Sequence, residues 1–175
     1  MNSLFVFRGK AASGKTTVTD LLSKKLNVVV LRKDDIYDEL AKYNLEHSVL
    51  NSACYDVLTK ILQSNIDRGC NVIIDIGLLH KSYMEQFLSK LELKETRVVQ
   101  FLCACSNHEE WRKRMEQRLT NPAPNQCFES VEWIEAHYEK MDATPFEGEF
   151  IIDSADDVSV MMEKIYNAIN LEKNI

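Results

Sequence analysis

Residues Gly9-Lys10-Ala11-Ala12-Ser13-Gly14-Lys15-Thr16 have the spacing G-x-x-x-x-G-K-T, and the chemistry of that spacing is a grip on phosphate. Glycines let the chain wrap closely and turn successive backbone N–H groups inward, which makes an anion nest. A helix opening at the end of the loop adds its unpaired N–H groups and a partial positive charge. In such a loop Lys15 reaches the β- and γ-phosphates and the Thr16 hydroxyl ligates Mg²⁺. The cradle itself would be the backbone of Gly9, Ala11, Ala12, Ser13 and Gly14, with Thr17 just beyond.

Three further groups of polar residues follow apolar runs. Arg32-Lys33-Asp34-Asp35 follows one, Asp75-Ile76-Gly77 another, and Asp153-Ser154-Ala155 a third. Asp34 is placed to accept the proton of an attacking hydroxyl during phosphoryl transfer. Asp34 or Asp35 could instead cap a helix beginning near Ile36, and one could cap while the other faces the site. Asp75 ends Val72-Ile73-Ile74 and has the position of a carboxylate that holds Mg²⁺, directly or through water. The residue after it is Ile76, where a motor-type ATPase would carry a glutamate to activate water. That favours transfer to an acceptor over steady hydrolysis. Arg112, Arg114 and Arg118 share one helical stretch, and the last two are four apart, on one face. With the proline-containing loop that follows, they resemble a mobile lid that brings arginines onto a transferring phosphoryl group. Glu110 and Glu116 on the same stretch leave a solvated charged face as the other possibility. Trp111, Trp133 and Tyr138 read as packing, and His80 and Lys81 are weaker candidates for touching an acceptor.

The elements that would position these residues alternate. Strands are expected at Leu4–Phe7, Val28–Leu31, Val72–Asp75, Arg97–Cys103 and Phe150–Ile152. Helices are expected at Lys15–Leu26, Ile36–Tyr43, Val49–Arg68, Ser82–Leu91, Glu109–Leu119, Glu129–Met141 and Val158–Ile169, with Gly69 as a stop and Asn107 with Glu110 as a capping box. Short apolar strands between helices imply an α/β fold, a five-stranded parallel sheet covered on both faces. Ligands then bind beyond the carboxyl ends of the strands, where all three polar groups fall.

With 175 residues, one domain is expected, and it is large enough to bury a real core. The 45% apolar and 27% charged content is ordinary for a globular protein. No apolar run approaches a membrane span. The chain leads straight into its first strand, which predicts no signal peptide. The five cysteines, an odd number, fit reduced thiols and a cytoplasmic location better than a disulfide framework. Cys103 and Cys105 lack a second pair to complete a zinc site and read as strand filler. A net charge of −6 argues against a long nucleic acid partner and is compatible with a small anionic substrate in a locally basic cleft.

The phosphate loop Gly9–Thr16, the Lys33-Asp34-Asp35 segment, the Val72–Asp75 strand and the Arg114…Arg118 spacing resemble the small P-loop kinases, among them the kinase domain of phage polynucleotide kinase, chloramphenicol phosphotransferase and the zeta-toxin-type kinases. The resemblance runs through nearly the whole chain in order. It implies a three-layer P-loop NTPase fold with a helical lid at about 107–141, ATP-Mg²⁺ as donor and a hydroxyl acceptor. It further implies Asp34 as general base, Arg118 as lid arginine, and Asp153–Ala155, with Ser154 at its centre, near the adenine. Polynucleotide kinases carry an arginine where this chain has Tyr37. The Gly-Gly-Gly run of shikimate kinases and the Asp-Gly-x-Pro-Arg signature of adenylate-type kinases are missing. No N-K-x-D base-reading motif is present, which favours ATP over GTP.

The leading expectation is therefore an ATP-dependent kinase acting on a hydroxyl of a small molecule or nucleotide. Its catalytic residues would be Lys15, Asp34, Arg118 and Arg114, and its metal site Thr16 and Asp75. A polynucleotide 5′-hydroxyl kinase is one alternative, with a basic channel and salt-sensitive binding. A nucleotide-binding switch that keeps Lys15 and Thr16 but needs no base is another.

Overall fold

The computed structural model describes residues 2–171. Its sheet comprises β1 (Ser3–Gly9), β2 (Val30–Arg32), β3 (Val72–Ile76), β4 (Arg97–Ala104) and β5 (Phe150–Asp153). All are parallel, in the order β2-β3-β1-β4-β5. The helices are α1 (Lys15–Leu26), α2 (Lys33–Leu40), α3 (His47–Asp67), α4 (Lys81–Leu88), α5 (His108–Thr120), α6 (Val131–Glu139) and α7 (Val158–Leu171), with a 3₁₀ turn at Ala41–Tyr43.

The two-residue period of a strand sends alternate side chains to opposite faces, and β1 uses both. Phe5 and Phe7 point with Ile73, Val99 and Phe101 into a core closed by Val18 and Leu22 of α1 and Met161 and Ile165 of α7. Leu4 and Val6 point with Val72, Ile74 and Ile76 into a second core under Leu58, Leu62 and Ile66 of α3 and Met84 and Phe87 of α4. Helix α3 turns one face inward because Leu50, Cys54, Leu58, Leu62 and Ile66, its buried residues, recur every four positions; the last three enter this core and the first two pack with Tyr37. Every residue of β1 is buried, as is every residue of β3, so the strand feeding the phosphate loop lies in the enclosed centre of the sheet. A third apolar cluster joins Ala12 of the loop to Trp111 and Met115 of α5 and to Val131 and Ile134 of α6.

The expected elements are present, with shifted ends. Helix α2 opens at Lys33, not near Ile36, so neither Asp34 nor Asp35 is its cap. Arg32 occupies that position, and both aspartates lie in the first turn, where the helix dipole favours negative charge. The chain leaves α3 by Arg68 and Gly69, whose N–H donates to the Ile66 carbonyl at 2.9 Å. Asn107 caps α5 by accepting from the Glu110 N–H at 3.0 Å, whereas the Glu110 carboxylate turns to Arg114. The capping box is thus half made. Ser130 caps α6 through the Trp133 N–H at 3.1 Å. Cys103 lies in the core of β4.

Candidate functional site

The phosphate loop leaves β1 and opens α1, and two glycines make its path possible. Gly9 has φ 149°, and a Cβ there would stand 2.2 Å from the Cys103 carbonyl oxygen. Gly14 has φ 83°, and a Cβ there would stand 2.9 Å from the Ser154 Cβ. Ala12, also at positive φ (59°), accepts the strain a non-glycine residue carries in that region. The Lys15 ammonium bends back and donates to the Gly9 and Lys10 carbonyls at 2.9 Å each. The apex at Ala11 is held on both sides. Its N–H donates to the Tyr138 hydroxyl and its carbonyl accepts from the Trp111 indole, each at 2.8 Å. The Lys10 ammonium lies 4.0 Å from the Trp111 ring centroid, and burial pulls its pKa below the ordinary lysine value, partly offset by Cys105 and Glu135.

The strand-end carboxylates gather beside this loop. The Thr16 hydroxyl donates to Asp75 Oδ2 at 2.9 Å, and Asp75 is buried at the end of β3. Arg32 Nε lies 3.6 Å from the same oxygen, while its guanidinium also pairs with Asp20 and, at 3.7 Å, Asp35. Asp35 thus serves Arg32, and Asp34 is the carboxylate that lines the cavity. The Asp34 side chain is 59% exposed. The surrounding cleft walls still strip enough water to push its carboxyl above the ordinary range, against the pull of Lys33 and Lys15 and with the help of Asp75 and Asp38.

Two cavities flank the loop. One, of about 390 Å³, is lined by Lys15, Thr16, Asp34, Asp75 and Arg118, among others. The other, of about 730 Å³, is lined by Gly14, Thr17, Arg114, Arg118 and Ser154. Arg118 borders both, and no ion pair engages it among the described residues. Arg114 goes elsewhere. It donates to the Ser154 hydroxyl at 2.8 Å and carbonyl at 3.1 Å, and to Glu110 at 3.1 Å, which ties α5 to the turn after β5. Arg112 joins α5 to α6 through Glu132 and Glu135. Arg114 and Arg118 thus both line the larger cavity, but only Arg114 is fastened to Ser154.

The segment between α5 and α6 closes over the first cavity. Asn125 donates to Asp38 of α2 from its backbone N–H at 2.9 Å and from its side-chain amide at 3.0 Å. Beside it Tyr37, 3% exposed, sets its hydroxyl 2.7 Å from His47 Nδ1, and Cys127 Sγ lies 3.7 Å from both. Burial, then the Cys127 contact, pushes the Tyr37 hydroxyl up to about 12. The residue standing where polynucleotide kinases carry an arginine is thus an enclosed phenol. Gly77 reaches this cavity, but His80 and Lys81 are not in its wall.

Sequence reasoning did not single out three features. Trp111 and Tyr138 pack as expected, yet they also bond the loop apex. Trp133 is 45% exposed and lines the cavity of Asp34 together with His137. Arg8, fully buried in β1, meets Glu149 through Nε at 2.8 Å and Nη2 at 2.7 Å, both side chains 0% exposed. Arg8 also donates to the Leu79 and Thr144 carbonyls, so the strand below the loop fastens the segments after β3 and α6. A basic residue directly after the apolar run Leu4–Phe7 is the one sequence signal that could have flagged it.

A family model described as the AAA domain matches residues 4–142. The chain belongs to this AAA domain family. No curated protein matches the sequence. Among solved structures, the AAA-domain chain is similar to the Mycobacterium tuberculosis APS kinase CysC in complex with AMPPNP and APS (TM-score 0.71, 14% identity, 97% of this chain and 98% of that one). It is also similar to a gluconokinase from Sinorhizobium meliloti 1021 (TM-score 0.67, 14% identity, 99% and 94%). Chaetomium thermophilum Kti12 in complex with ADP-AlF3 is a third (TM-score 0.67, 18% identity, 95% and 98%). This AAA-domain chain therefore has the three-layer P-loop fold found in small kinases. No helix among the described residues is long and apolar enough to cross a membrane.

Proposed function

We propose that the chain is a single kinase domain, with a lid at about 107–141, that transfers the γ-phosphoryl group of ATP to a hydroxyl of a small molecule or nucleotide. One observation carries the reading. Lys15, Thr16, Asp75, Asp34 and Arg118 line a single cavity, so phosphate grip, metal ligation, proton acceptance and charge neutralisation converge on one space. The nucleoside belongs in the neighbouring cavity beside Ser154, against Gly14 and Thr17. Arg114, bonded to Ser154, is a positioning residue there.

The residues fit Mg²⁺. Thr16 and Asp75 offer hard oxygen donors already 2.9 Å apart, and no cluster of three or more His, Cys, Asp or Glu among the described residues competes as a metal cage. That matches a cation that takes one or two protein oxygens and fills its shell with water and phosphate. When bound, it would neutralise charge on the β- and γ-phosphates. The protein does the rest. The backbone from Gly9 to Gly14 orients the phosphate chain, with Lys15 exchanging its two carbonyl partners for phosphate oxygens. Asp34 takes the acceptor proton, and Arg118 faces the charge that develops on the transferred group. The absence of a glutamate after Asp75 and the docked lid both disfavour attack by water. Reduced cysteines and a need for ATP suit the cytoplasm.

The test is a labelled-ATP transfer screen across antibiotics, sugars, nucleosides and 5′-hydroxyl oligonucleotides, with Lys15→Ala as blank. Transfer that the blank loses supports the reading. Magnesium-dependent ATP binding with no product from any acceptor returns the chain to the nucleotide-switch class. No ATP binding at all removes both.

A further inference from the structure

The cavity beside Asp34 has one wall that phosphate chemistry leaves unused. On α6, Trp133 and His137 stand one turn apart with ring centroids 5.4 Å apart and planes 9° from parallel. Both line the cavity, yet Trp133 is 45% exposed. An indole left open beside a site is a large apolar area awaiting cover. The two rings are parallel and stacked, and the exposed indole forms a shelf on which a third flat ring can extend the stack. Tyr55 and Phe128 add aromatic surface to the same cavity.

The charges point the same way. The Lys33 side chain is 11% exposed, with its ammonium 3.8 Å from Asp34 and 4.4 Å from the Tyr37 ring centroid. His47 Nδ1 is bonded to the Tyr37 hydroxyl, and Lys15 and Arg118 serve the phosphates. Little cationic charge is left over to recognise an acidic acceptor. The cavity of about 390 Å³ must also take the transferring phosphate and its cation, so the space left to the acceptor suits one ring system and its hydroxyl arm.

Resting on the kinase reading, we infer that the acceptor is an alcohol carrying a planar aromatic or heteroaromatic ring, seated on the Trp133–His137 shelf with its hydroxyl towards Asp34. The acceptor oxygen forms the new bond to the γ-phosphorus. The bond from that phosphorus to the β,γ-bridging oxygen breaks, and ADP leaves with the electron pair. The hydroxyl proton passes to the Asp34 carboxylate. Nucleosides and aryl alcohols share this chemistry.

The experiment measures kcat and KM with Mg-ATP for adenosine, uridine and 2-phenylethanol against gluconate and glycerol. It uses the wild type, Trp133→Ala, Trp133→Phe and His137→Ala, with ATP affinity of each by calorimetry. The expected result is transfer to a ring-bearing alcohol, a KM raised about tenfold in Trp133→Ala, largely restored in Trp133→Phe, and ATP affinity unchanged throughout. A nucleoside or the aryl alcohol as best acceptor tells the two sources apart, and either supports the inference. Three outcomes overturn it: higher kcat/KM for gluconate or glycerol, an unmoved KM in Trp133→Ala, or no transfer to any ring alcohol by protein that binds ATP. The first two leave the kinase reading standing. That reading fails separately, if the wild type does not bind Mg-ATP, or binds it and phosphorylates none of the acceptors, gluconate and glycerol included.

Discussion

Replacing Glu149 with alanine removes both carboxylate oxygens from a guanidinium that has no access to water. Arg8 loses its 2.8 Å and 2.7 Å bonds, and the Phe146 N–H loses its 3.0 Å acceptor. What remains around the charge is the Leu79 carbonyl, the Thr144 carbonyl at 3.0 Å and the Phe146 ring at 4.8 Å. Stranding one member of a buried pair costs about 3–5 kcal/mol. Against a total stability of about 5–15 kcal/mol that is a large share. At about 2–4 °C per kcal/mol for a chain of this size, melting should fall by about 6–20 °C. Urea titration would show the same loss as a lower midpoint at unchanged slope. The double variant Arg8→Met/Glu149→Leu removes the charge along with its partner and should recover most of the stability, as apolar replacements of buried pairs often do. A loss below about 1 kcal/mol for Glu149→Ala would have the size of an exposed pair. It would refute the argument by showing that water reaches Arg8.

Gly14→Ala should lower stability by about 1–3 kcal/mol, because the new Cβ meets Ser154 at 2.9 Å on a backbone with φ 83°. Calorimetry should show weaker ATP binding in the folded variant. Arg118→Ala should reduce turnover by ~10² with an unchanged melting temperature, whereas Arg114→Ala, which breaks the Ser154 clamp, should shift melting and ATP affinity together; thermal melts beside steady-state rates separate the two. The raised carboxyl of Asp34 places the acidic limb of kcat/KM above the ordinary aspartate range of about 3.9. Activity should fall as pH drops through that limb and the base takes up its proton. Asp34→Asn should lower turnover by ~10² or more and erase the limb. The stability sign is the opposite of a salt-bridged aspartate. A raised pKa means that folding disfavours the ionised form, so this contribution is fully present at acid pH and lost as pH rises through the folded value. Asp34→Asn should therefore not destabilise the protein at neutral pH, as melts across pH would show.

The phosphate loop and the strand-end carboxylates were legible because their signals are local. An octet states its own geometry, and the run Val72-Ile73-Ile74 carries Asp75 to the sheet rim, one residue before β3 ends. Helix α2 was misjudged at its start because two aspartates read equally well as caps or as first-turn residues, and only the extended backbone at Arg32 decides between them. Arg8 and Glu149 lie 141 residues apart, and no periodicity links them. Trp111 and Tyr138 are legible as packing, but the indole N–H and phenol that hold Ala11 depend on how α5 and α6 seat against the loop. Arg114 and Arg118 share a helix face, yet Ser154 captures one and not the other, a contact made by tertiary structure alone.

Asp34 and Asp38 ride the same short helix four positions apart, one facing the cavity and the other holding Asn125. One residue inserted between them would swing the second carboxylate, and every helix residue after it, by about 100° and release the segment between α5 and α6 from its post. The interval D-x-x-x-D is thus as much a part of the machinery as either acid. A homologue that keeps both aspartates at another spacing would need a different fastening for the segment between α5 and α6.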